Sequence, residues 1–225
     1  MTTAHLTRIR LNPWSHHAGR DLSNVQSLHT RILDLVPSQL GSSTEARKQA
    51  GILFRLERDR KGHTLTIQSK APLDLDALPV GYGEVDERDL TPLLNWCRTG
   101  HNVRYRIDAC LARYEPSKTT KANGKRDRGK RQPLCGDRAL AWLETHSAEI
   151  GLALSTSTHT RLPEIYGSKN DPTNPDNKIY IRNKVTKLEG IATITDPDAV
   201  RAAIANGIGH SRAYGAGLLS IRALN

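Results

Sequence analysis

The segment from Gly207 to Gly217 constrains the fold most, because it places four glycines and one arginine between a helical run and an apolar strand. Glycine permits backbone angles and close approaches that a Cβ forbids, and such a loop beside a cation is typical of main chain that lies against phosphates. A dinucleotide-binding fingerprint needs the order strand, glycine-rich turn, helix, with a third glycine where this chain has Arg212. A Walker loop is also excluded, because no Gly-Lys-Ser/Thr follows. The segment therefore predicts a glycine-rich loop that leads into a C-terminal strand.

The composition indicates an anionic partner. The chain has 225 residues, with 33 Lys and Arg against 23 Asp and Glu and a formal net charge of +10. Nucleic acid is the commonest anionic partner of such a protein. Aromatic residues are few, with one Phe, three Trp and six Tyr, and the RNP1 pattern of RNA-recognition motifs is absent. If the partner is RNA, we therefore expect contacts with the backbone and shape of a folded duplex rather than with unpaired bases.

The cysteines and the N-terminus indicate the cytoplasm. Cys97, Cys110 and Cys135 are odd in number and form no Cys-x-x-Cys pair, so reduced thiols are expected rather than a disulfide scaffold or a zinc ribbon. The N-terminus lacks the apolar run of a signal peptide, and no stretch is long enough to cross a bilayer, so no membrane contact is expected. His16 and His17 have no third ligand at a matching spacing, and neither a metal nor a cofactor is expected.

Strand-like and helical runs occur twice in the order β-α-β-β-α-β, which is the ferredoxin-like arrangement. The first helix is predicted to begin near Ser23, where Ser23 and Gln26 match a capping box. The predicted N-terminal elements span residues 6–11, 23–36, 51–58, 63–69, 73–78 and 82–90. The predicted C-terminal elements span residues 102–112, 135–151, 161–166, 178–194, 198–206 and 218–223. We expect an α+β fold of two tandem ferredoxin-like domains with antiparallel sheets, residues 1–94 and 95–225.

Residues 117–132 form a basic segment with seven cations, one acid and no large apolar side chain. Such a segment cannot pack into a core, and its self-repulsion keeps it extended. A solvated linker is one interpretation, but the position between a strand and a helix of the second domain favours a loop that orders on RNA. Its predicted phosphate contacts are Lys118, Lys121, Lys125, Arg126, Arg128, Lys130 and Arg131.

His29 lies on the first predicted helix, at the flank of an apolar stripe formed by Val25, Leu28 and Ile32. One interpretation is a half-buried histidine with a structural role. The other is catalysis, because only histidine has an unperturbed pKa near neutrality and can exchange a proton with a reacting oxygen at physiological pH. The residues alone leave both interpretations open.

The glycine-rich loop resembles the signature of the CasE family, the endoribonucleases that process CRISPR precursor RNA in the Cascade complex. The pattern Ile-Gly-x-x-Arg-x-x-Gly-x-Gly-Leu-Leu-Ser begins at Ile208, and Leu188-Glu189-Gly190, Asp196-Pro197 and the segment 20–29 also match. The resemblance implies binding of the CRISPR repeat RNA stem-loop and metal-independent cleavage at the 3′ base of the stem. It implies attack by a 2′-hydroxyl, which leaves a 2′,3′-cyclic phosphate and a 5′-hydroxyl. It also implies that the protein keeps its product hairpin and joins the other Cascade subunits.

The same resemblance suggests site residues. His29 would be the general base or acid, and where some members have a tyrosine three residues earlier this chain has Gln26. Because glutamine does not exchange a proton near neutral pH, Tyr214 and His210 of the glycine-rich loop are alternatives for the second catalytic role. Alternation along a strand would place Arg104 and Arg106 on one face. The expected RNA contacts outside the basic segment are Arg104, Arg106, Arg161, Lys169, His210 and Arg212.

Two other functions stay open on the sequence. A non-catalytic subunit with the same fold would bind hairpin RNA and use His29 only structurally. An unrelated basic protein with two ferredoxin-like halves would act on a small anionic ligand. Binding and cleavage of hairpin RNA discriminate among the three.

Overall fold

Strands and helices follow one another in two similar halves in the computed structural model, which describes residues 4–37, 50–60, 62–115, 129–174 and 176–224. The strands are β1 (His5–Leu11), β2 (Leu53–Asp59), β3 (Gly62–Ser69), β4 (Gly83–Asp89), β5 (Asn102–Ala109), β6 (Leu111–Glu115), β7 (Lys130–Leu134), β8 (Leu152–Arg161), β9 (Ile165–Asn170), β10 (Lys178–Asn183), β11 (Thr186–Ile194) and β12 (Leu219–Ala223). The helices are α1 (His16–Ser23), α2 (Val25–Asp34), α3 (Thr91–Trp96), α4 (Asp137–Ile150) and α5 (Pro197–Asn206), with 3-10 helices at Leu75–Ala77 and Arg212–Tyr214. Among these residues, none of the helices is long and apolar enough to cross a membrane.

Each half contains a ferredoxin-like sheet. In the N-terminal sheet β1 lies between β3 and β4, with β2 at the edge beside β3, and all neighbouring strands are antiparallel. In the C-terminal sheet β5 lies between β11 and β12, with β8 at the edge beside β11, again all antiparallel. The strand order is therefore the same in both halves as far as the structure describes them. This confirms the predicted α+β class and the tandem arrangement, while the boundary between residues 94 and 95 stays a prediction.

Alternation along the central strands explains how the sheets are covered. In β5, Val103, Tyr105 and Ile107 are buried, and Arg104 is exposed between them, as the two-residue period of a strand requires. The buried residues join one core, which includes Leu143 of α4 and Val200 of α5. The N-terminal half has a second core under α2, and its members include Ile9, Leu28, Ile32, Phe54, Leu65 and Ile67.

The first predicted helix is in fact two helices. α1 ends at Ser23, and α2 follows with Asn24 as its N-cap. The predicted capping box of Ser23 and Gln26 is therefore wrong, because the Asn24 carboxamide oxygen occupies the cap position and accepts a hydrogen bond from the Gln26 N–H at 3.0 Å. His16 and His17 lie in α1.

Two antiparallel ribbons lie outside the larger sheets. The β6–β7 ribbon contains residues 130–132 of the predicted basic loop, so this end of the segment is a strand rather than a loop. The β9–β10 ribbon is the second one. The predicted strand at residues 161–166 is wrong, because β8 ends at Arg161 and β9 begins at Ile165, with Pro163 in the break between them.

Candidate active site and nucleic-acid interface

Asn24 joins α2 to the β9–β10 ribbon of the other half. Its Nδ2 donates to the Ser168 carbonyl oxygen at 3.0 Å, and its Oδ1 accepts from the Ser168 N–H at 3.1 Å. The same Oδ1 caps α2 through Gln26. The contact is close because Gly167 has no side chain: a Cβ there would lie 2.3 Å from Asn24 Oδ1. One side chain therefore fixes both the start of α2 and its position against the C-terminal half.

A buried carboxylate holds α1 against α2. Asp21 forms an ion pair with Arg31 of α2, with 3.0 Å between Oδ2 and Nε, and accepts a hydrogen bond from Tyr82 Oη at 3.1 Å. Burial raises the pKa of Tyr82, and the neighbouring Asp21 charge raises it further. The tyrosine is therefore a stable neutral donor, and the Asp21–Arg31 ion pair links α1 to α2.

Three of the four residues considered for catalysis, His29, Gln26 and Tyr214, lie together. The His29 and Tyr214 rings meet edge to face, with 5.6 Å between their centroids and 67° between their planes. Tyr214 Oη donates a hydrogen bond to Gln26 Oε1 at 3.2 Å. Gln26 and His29 are neighbours on the surface of α2 because they are three residues apart. The cluster therefore combines a side chain that can transfer a proton near neutral pH with two polar groups that border it. Its catalytic roles stay predictions.

Packing of the glycine-rich loop positions Tyr214. Gly215 has a φ of +89°, and a Cβ there would lie 2.9 Å from the Phe54 ring. Gly217 also has a φ of +89°, and its Cβ would lie 2.5 Å from the Ile208 carbonyl oxygen. Both positions therefore favour glycine for its backbone angle and for the space. The sequence suggested that phosphates approach the main chain closely in this loop. At these two glycines, protein atoms occupy that space instead.

Arg106 belongs to an ionic network between the halves. Its Nη2 lies 2.9 Å from Asp108 Oδ2, and its Nη1 contacts Glu57 of β2. Arg55 of β2 is buried beside this group and donates to Ser220 Oγ of β12 at 2.9 Å. Burial lowers the pKa of Arg55, and the Arg106 charge lowers it further. Arg104 and Arg106 do lie on one face of β5, as predicted, but Arg106 is held by two carboxylates whereas Arg104 is exposed.

A cavity of about 590 Å³ beside Cys110 has cations as half of its lining residues. Arg131 of β7 and Arg161 of β8 line it, together with Arg182 and Lys184. Glu164 is the acidic residue in the lining, and it pairs with Arg182 at 2.6 Å. Arg182 and Lys184 were not among the predicted contacts, although two cations that flank the end of a strand are a readable signal. The cavity brings together predicted Arg131 and Arg161 in an arrangement suited to a polyanion.

His210 lies near the Arg131 edge of this cation-lined cavity. The His210 backbone N–H donates to the Cys110 carbonyl oxygen at 2.8 Å, and Arg131 Nη2 donates to Cys110 Sγ at 3.3 Å. Burial lowers the pKa of His210, and the charges of Arg131 and Arg212 lower it further. An anion that binds between these cations would reverse the electrostatic part of that shift.

The remaining predicted contacts fall into two groups. The exposed cations on described elements are Lys130, Lys169, Arg104 and Arg212, and Arg212 also donates to the Asn206 carbonyl oxygen at 2.7 Å. The part of the basic segment outside the described residues contains Lys118, Lys121, Lys125, Arg126 and Arg128. RNA binding by both groups stays a prediction.

A second cavity, of about 410 Å³, is lined by residues of both halves, among them Tyr214 of the cluster with His29 and Gln26. Its lining also includes Leu28, Leu162 and Tyr166. In the described ranges, no three His, Cys, Asp or Glu side chains come together as a group that could hold a metal ion.

Comparison with known families assigns the chain to one of them. The family model described as "CRISPR associated protein" matches residues 4–223. The chain belongs to this family. The match confirms the resemblance that the glycine-rich loop suggested.

Relatives extend over nearly the whole chain. The CRISPR-associated endoribonuclease Cse3 of Thermus thermophilus is 27% identical over 226 residues, which cover 96% of this chain and 98% of the relative. A structure of CRISPR endoribonuclease Cse3 bound to 19 nt RNA is 25% identical, with a TM-score of 0.72, and covers 97% of this chain and 99% of that one. A chain of a CRISPR RNA-guided surveillance complex in a pre-nicking state is 31% identical, with a TM-score of 0.67, and covers 96% of this chain and 98% of that one.

Proposed function

We propose that this protein is an endoribonuclease that binds the stem-loop of CRISPR repeat RNA and cleaves the precursor at the 3′ base of the stem. The observation that carries the proposal is the contact of His29, Gln26 and Tyr214, which come from opposite ends of the chain. Its relatives support the reaction class, since one is named as an endoribonuclease and another is bound to RNA. The proposed compartment is the cytoplasm, where the precursor transcript is made.

The proposed reaction is an internal transesterification. The 2′-hydroxyl of the nucleotide before the cut attacks the adjacent phosphorus in line, and the bond to the 5′-oxygen of the next nucleotide breaks. The products are a 2′,3′-cyclic phosphate and a 5′-hydroxyl. Because the nucleophile is tethered to its target, the protein has to fix the in-line geometry and move protons, and no metal is required.

His29 is the proposed proton-transfer group. It would take the proton of the 2′-hydroxyl or give one to the departing 5′-oxygen, a step that contributes about 10²–10⁴-fold. Tyr214 keeps its hydroxyl beside Gln26, so the two together would orient the reacting phosphate next to the imidazole. This divides the work between one residue that moves protons and two that position the phosphate.

The proposed grip on RNA is electrostatic. Arg131, Arg161, Arg182 and Lys184 line one cavity and would contact consecutive phosphates of the stem. Arg106 is assigned a structural role instead, because Asp108 and Glu57 already neutralise it. After cleavage the protein would keep the stem-loop and join the other Cascade subunits, in keeping with the relative found in a surveillance complex.

The test is single-turnover cleavage of repeat RNA in excess EDTA. We expect unchanged cleavage in EDTA, a cyclic phosphate at the new 3′ end, and a loss of about 10²-fold or more in His29→Ala with hairpin binding retained. His146→Ala is the matched control, because His146 lies on α4, where its Nδ1 is 2.8 Å from the Trp142 carbonyl oxygen. Cleavage that needs a divalent ion would contradict the mechanism. Hairpin binding without any cleavage would favour the non-catalytic subunit.

A further inference from the structure

The β9–β10 ribbon has one face turned to solvent that carries two tyrosines. Tyr166 is opposite Arg182 in the strand register, and Tyr180 is opposite Ser168. Because directly opposed residues share a face and alternate residues along a strand do too, Tyr166 and Tyr180 lie on the same face as a diagonal pair. They are exposed to 57% and 67% respectively. Large aromatic side chains with this exposure, placed side by side, are typical of a binding surface.

The charge of this face favours a nucleic acid over a protein of mixed charge. Lys178 and Arg182 share the face with the tyrosines and are exposed. Neither β9 nor β10 contains an aspartate or a glutamate, although Glu164, just before β9, pairs with Arg182 at 2.6 Å. Tyrosine rings flanked by cations are the combination with which proteins hold unpaired nucleotides, since the rings stack on bases and the cations neutralise phosphates.

The spacing of the tyrosines fits one base between them. Diagonal residues on one face of an antiparallel pair are about 7–8 Å apart. A base stacks about 3.4 Å from its neighbour, so a base between two rings needs about twice that distance. A folded duplex offers no base with two free faces, so the occupant is an unpaired nucleotide.

The opposite face of the ribbon is tied to the candidate active site. Gly167 lies on that face, and a Cβ there would lie 2.3 Å from Oδ1 of Asn24, the N-cap of the helix that carries His29. The same side chain bonds the Ser168 main chain. RNA that continues past the cut would therefore meet the ribbon next. We propose that the Tyr166–Tyr180 face binds the single-stranded RNA segment 3′ of the cleavage site, with one base inserted between the two rings. The inference rests on the proposed function and adds an unpaired-strand contact to the stem contacts expected from composition.

The experiment compares two hairpin RNAs that carry a 2′-deoxy nucleotide before the cut, so that neither is cleaved. One RNA ends at the base of the stem, and the other continues with six unpaired nucleotides on the 3′ side. We expect tighter binding of the flanked RNA to the unmodified protein. Tyr166→Leu and Tyr180→Leu should each weaken binding of the flanked RNA by about five- to 150-fold and leave binding of the flankless hairpin unchanged. Tyr166→Phe and Tyr180→Phe, which keep the ring, should retain the effect.

Tyr114→Leu provides a matched control. Tyr114 is also exposed to 57%, but it lies on the β6–β7 ribbon, beside His210. We expect this variant to keep the full gain in affinity from the flank. A flanked RNA whose unpaired positions are abasic should bind the unmodified protein no more tightly than the flankless hairpin, because the sugar-phosphate chain remains and the stacking is lost. Thermal unfolding of each variant verifies that it is folded.

The outcomes separate this inference from the proposed function. Tight binding of the flankless hairpin with no gain from the flank would overturn the inference alone. A protein that binds neither RNA would overturn both. Tyrosine variants that bind both RNAs normally but fail to assemble with other Cascade subunits would also overturn the inference, since the face would then be a protein interface.

Discussion

Replacing Asn24 by alanine tests whether one side chain fixes the candidate catalytic helix against the C-terminal half. The substitution removes the N-cap of α2, in which Asn24 Oδ1 accepts from the Gln26 N–H at 3.0 Å. It also removes both hydrogen bonds to the Ser168 main chain, at 3.0 and 3.1 Å. The β9–β10 ribbon would then lose the polar contacts that this side chain gives it with α2.

The expected magnitude follows from these three hydrogen bonds. Loss of an asparagine cap to alanine costs about 0.5–2 kcal/mol. Each hydrogen bond to Ser168 contributes about 0.5–1.5 kcal/mol net. The sum is about 1.5–5 kcal/mol, with a central value near 3 kcal/mol. For a chain of this size that corresponds to a melting temperature lower by about 6–12 °C.

Urea denaturation measures the free energy of unfolding, and two variants divide the loss into its parts. Asn24→Ser keeps a capping oxygen but does not reach Ser168, so it should lose only the ribbon contacts. Ser15→Ala removes the N-cap of α1, where Ser15 Oγ accepts from the Ala18 N–H at 3.4 Å, and should cost only about 1 kcal/mol. Asn24→Ala that proves no more destabilising than Ser15→Ala would refute the link between the halves. We also expect Asn24→Ala to slow cleavage more than Ser15→Ala, because α2 carries His29.

Three further predictions concern the loop, the salt dependence and the pH dependence. Gly217→Ala should lower the free energy of unfolding by clearly more than Gly100→Ala. Both glycines have a φ near +90°, but of the two added Cβ atoms only the one at 217 would meet a carbonyl oxygen, at 2.5 Å. Equal losses would show that the backbone angle alone matters. Arg161→Ala and Lys184→Ala should each reduce the slope of log affinity for hairpin RNA against log salt concentration by slightly less than one. Arg106→Ala should leave this slope unchanged in the folded protein. A reduced slope in Arg106→Ala would contradict the structural role assigned to Arg106. Burial, and then the Arg131 and Arg212 charges, lower the pKa of His210 in the folded protein. In the unfolded chain this histidine takes up a proton near its ordinary pKa of about 6.5, so the free energy of unfolding should fall as the pH drops below about 6.5. Urea titrations across this range should give a shallower fall in His210→Asn, and an unchanged fall would contradict the lowered pKa.

The sequence was sufficient for elements whose local pattern agrees with their place in the fold. β5 alternates apolar and polar residues along its length, so both the strand and the shared face of Arg104 and Arg106 could be predicted. The loop from Gly207 to Gly217 could be found because its glycines depart from any helical or strand pattern. Their packing against Phe54 and Ile208 could not, because it depends on the contact between the halves.

Elements stabilised by pairing rather than by a local pattern were missed or misplaced. β8 carries Ser or Thr at five of its ten positions and is held at the sheet edge by β11, so apolar alternation does not extend along it. β7 contains Pro133 and three polar residues and forms a strand only through β6. The capping residue was assigned to Ser23 because Ser23 and Asn24 are both good N-caps, and only the tertiary contact with Ser168 separates them.

The residues of the candidate site also divide into those that a local pattern could predict and those that depend on tertiary contacts. His29 could be selected because histidine on the flank of an apolar stripe is a local feature that the family resemblance reinforced. Its neighbour Tyr214 is linked to Gln26 by a hydrogen bond between residues 188 positions apart, a separation that no periodicity reveals. Arg182 and Lys184 join Arg161 because β8 pairs with β11 in a register that places Arg161 opposite Thr186.

A structure of the protein with a repeat hairpin that carries a 2′-deoxy nucleotide before the cut tests the central claim most directly. The distance to measure is that between the His29 imidazole nitrogens and the nearer of two atoms, the 2′-carbon of that nucleotide and the departing 5′-oxygen. We predict that one nitrogen lies within about 3–4 Å of one of these atoms, with the Tyr214 hydroxyl facing the same phosphate. An imidazole more than about 10 Å from the scissile phosphate, with the hairpin fully bound, would contradict the assignment of His29 as the catalytic residue.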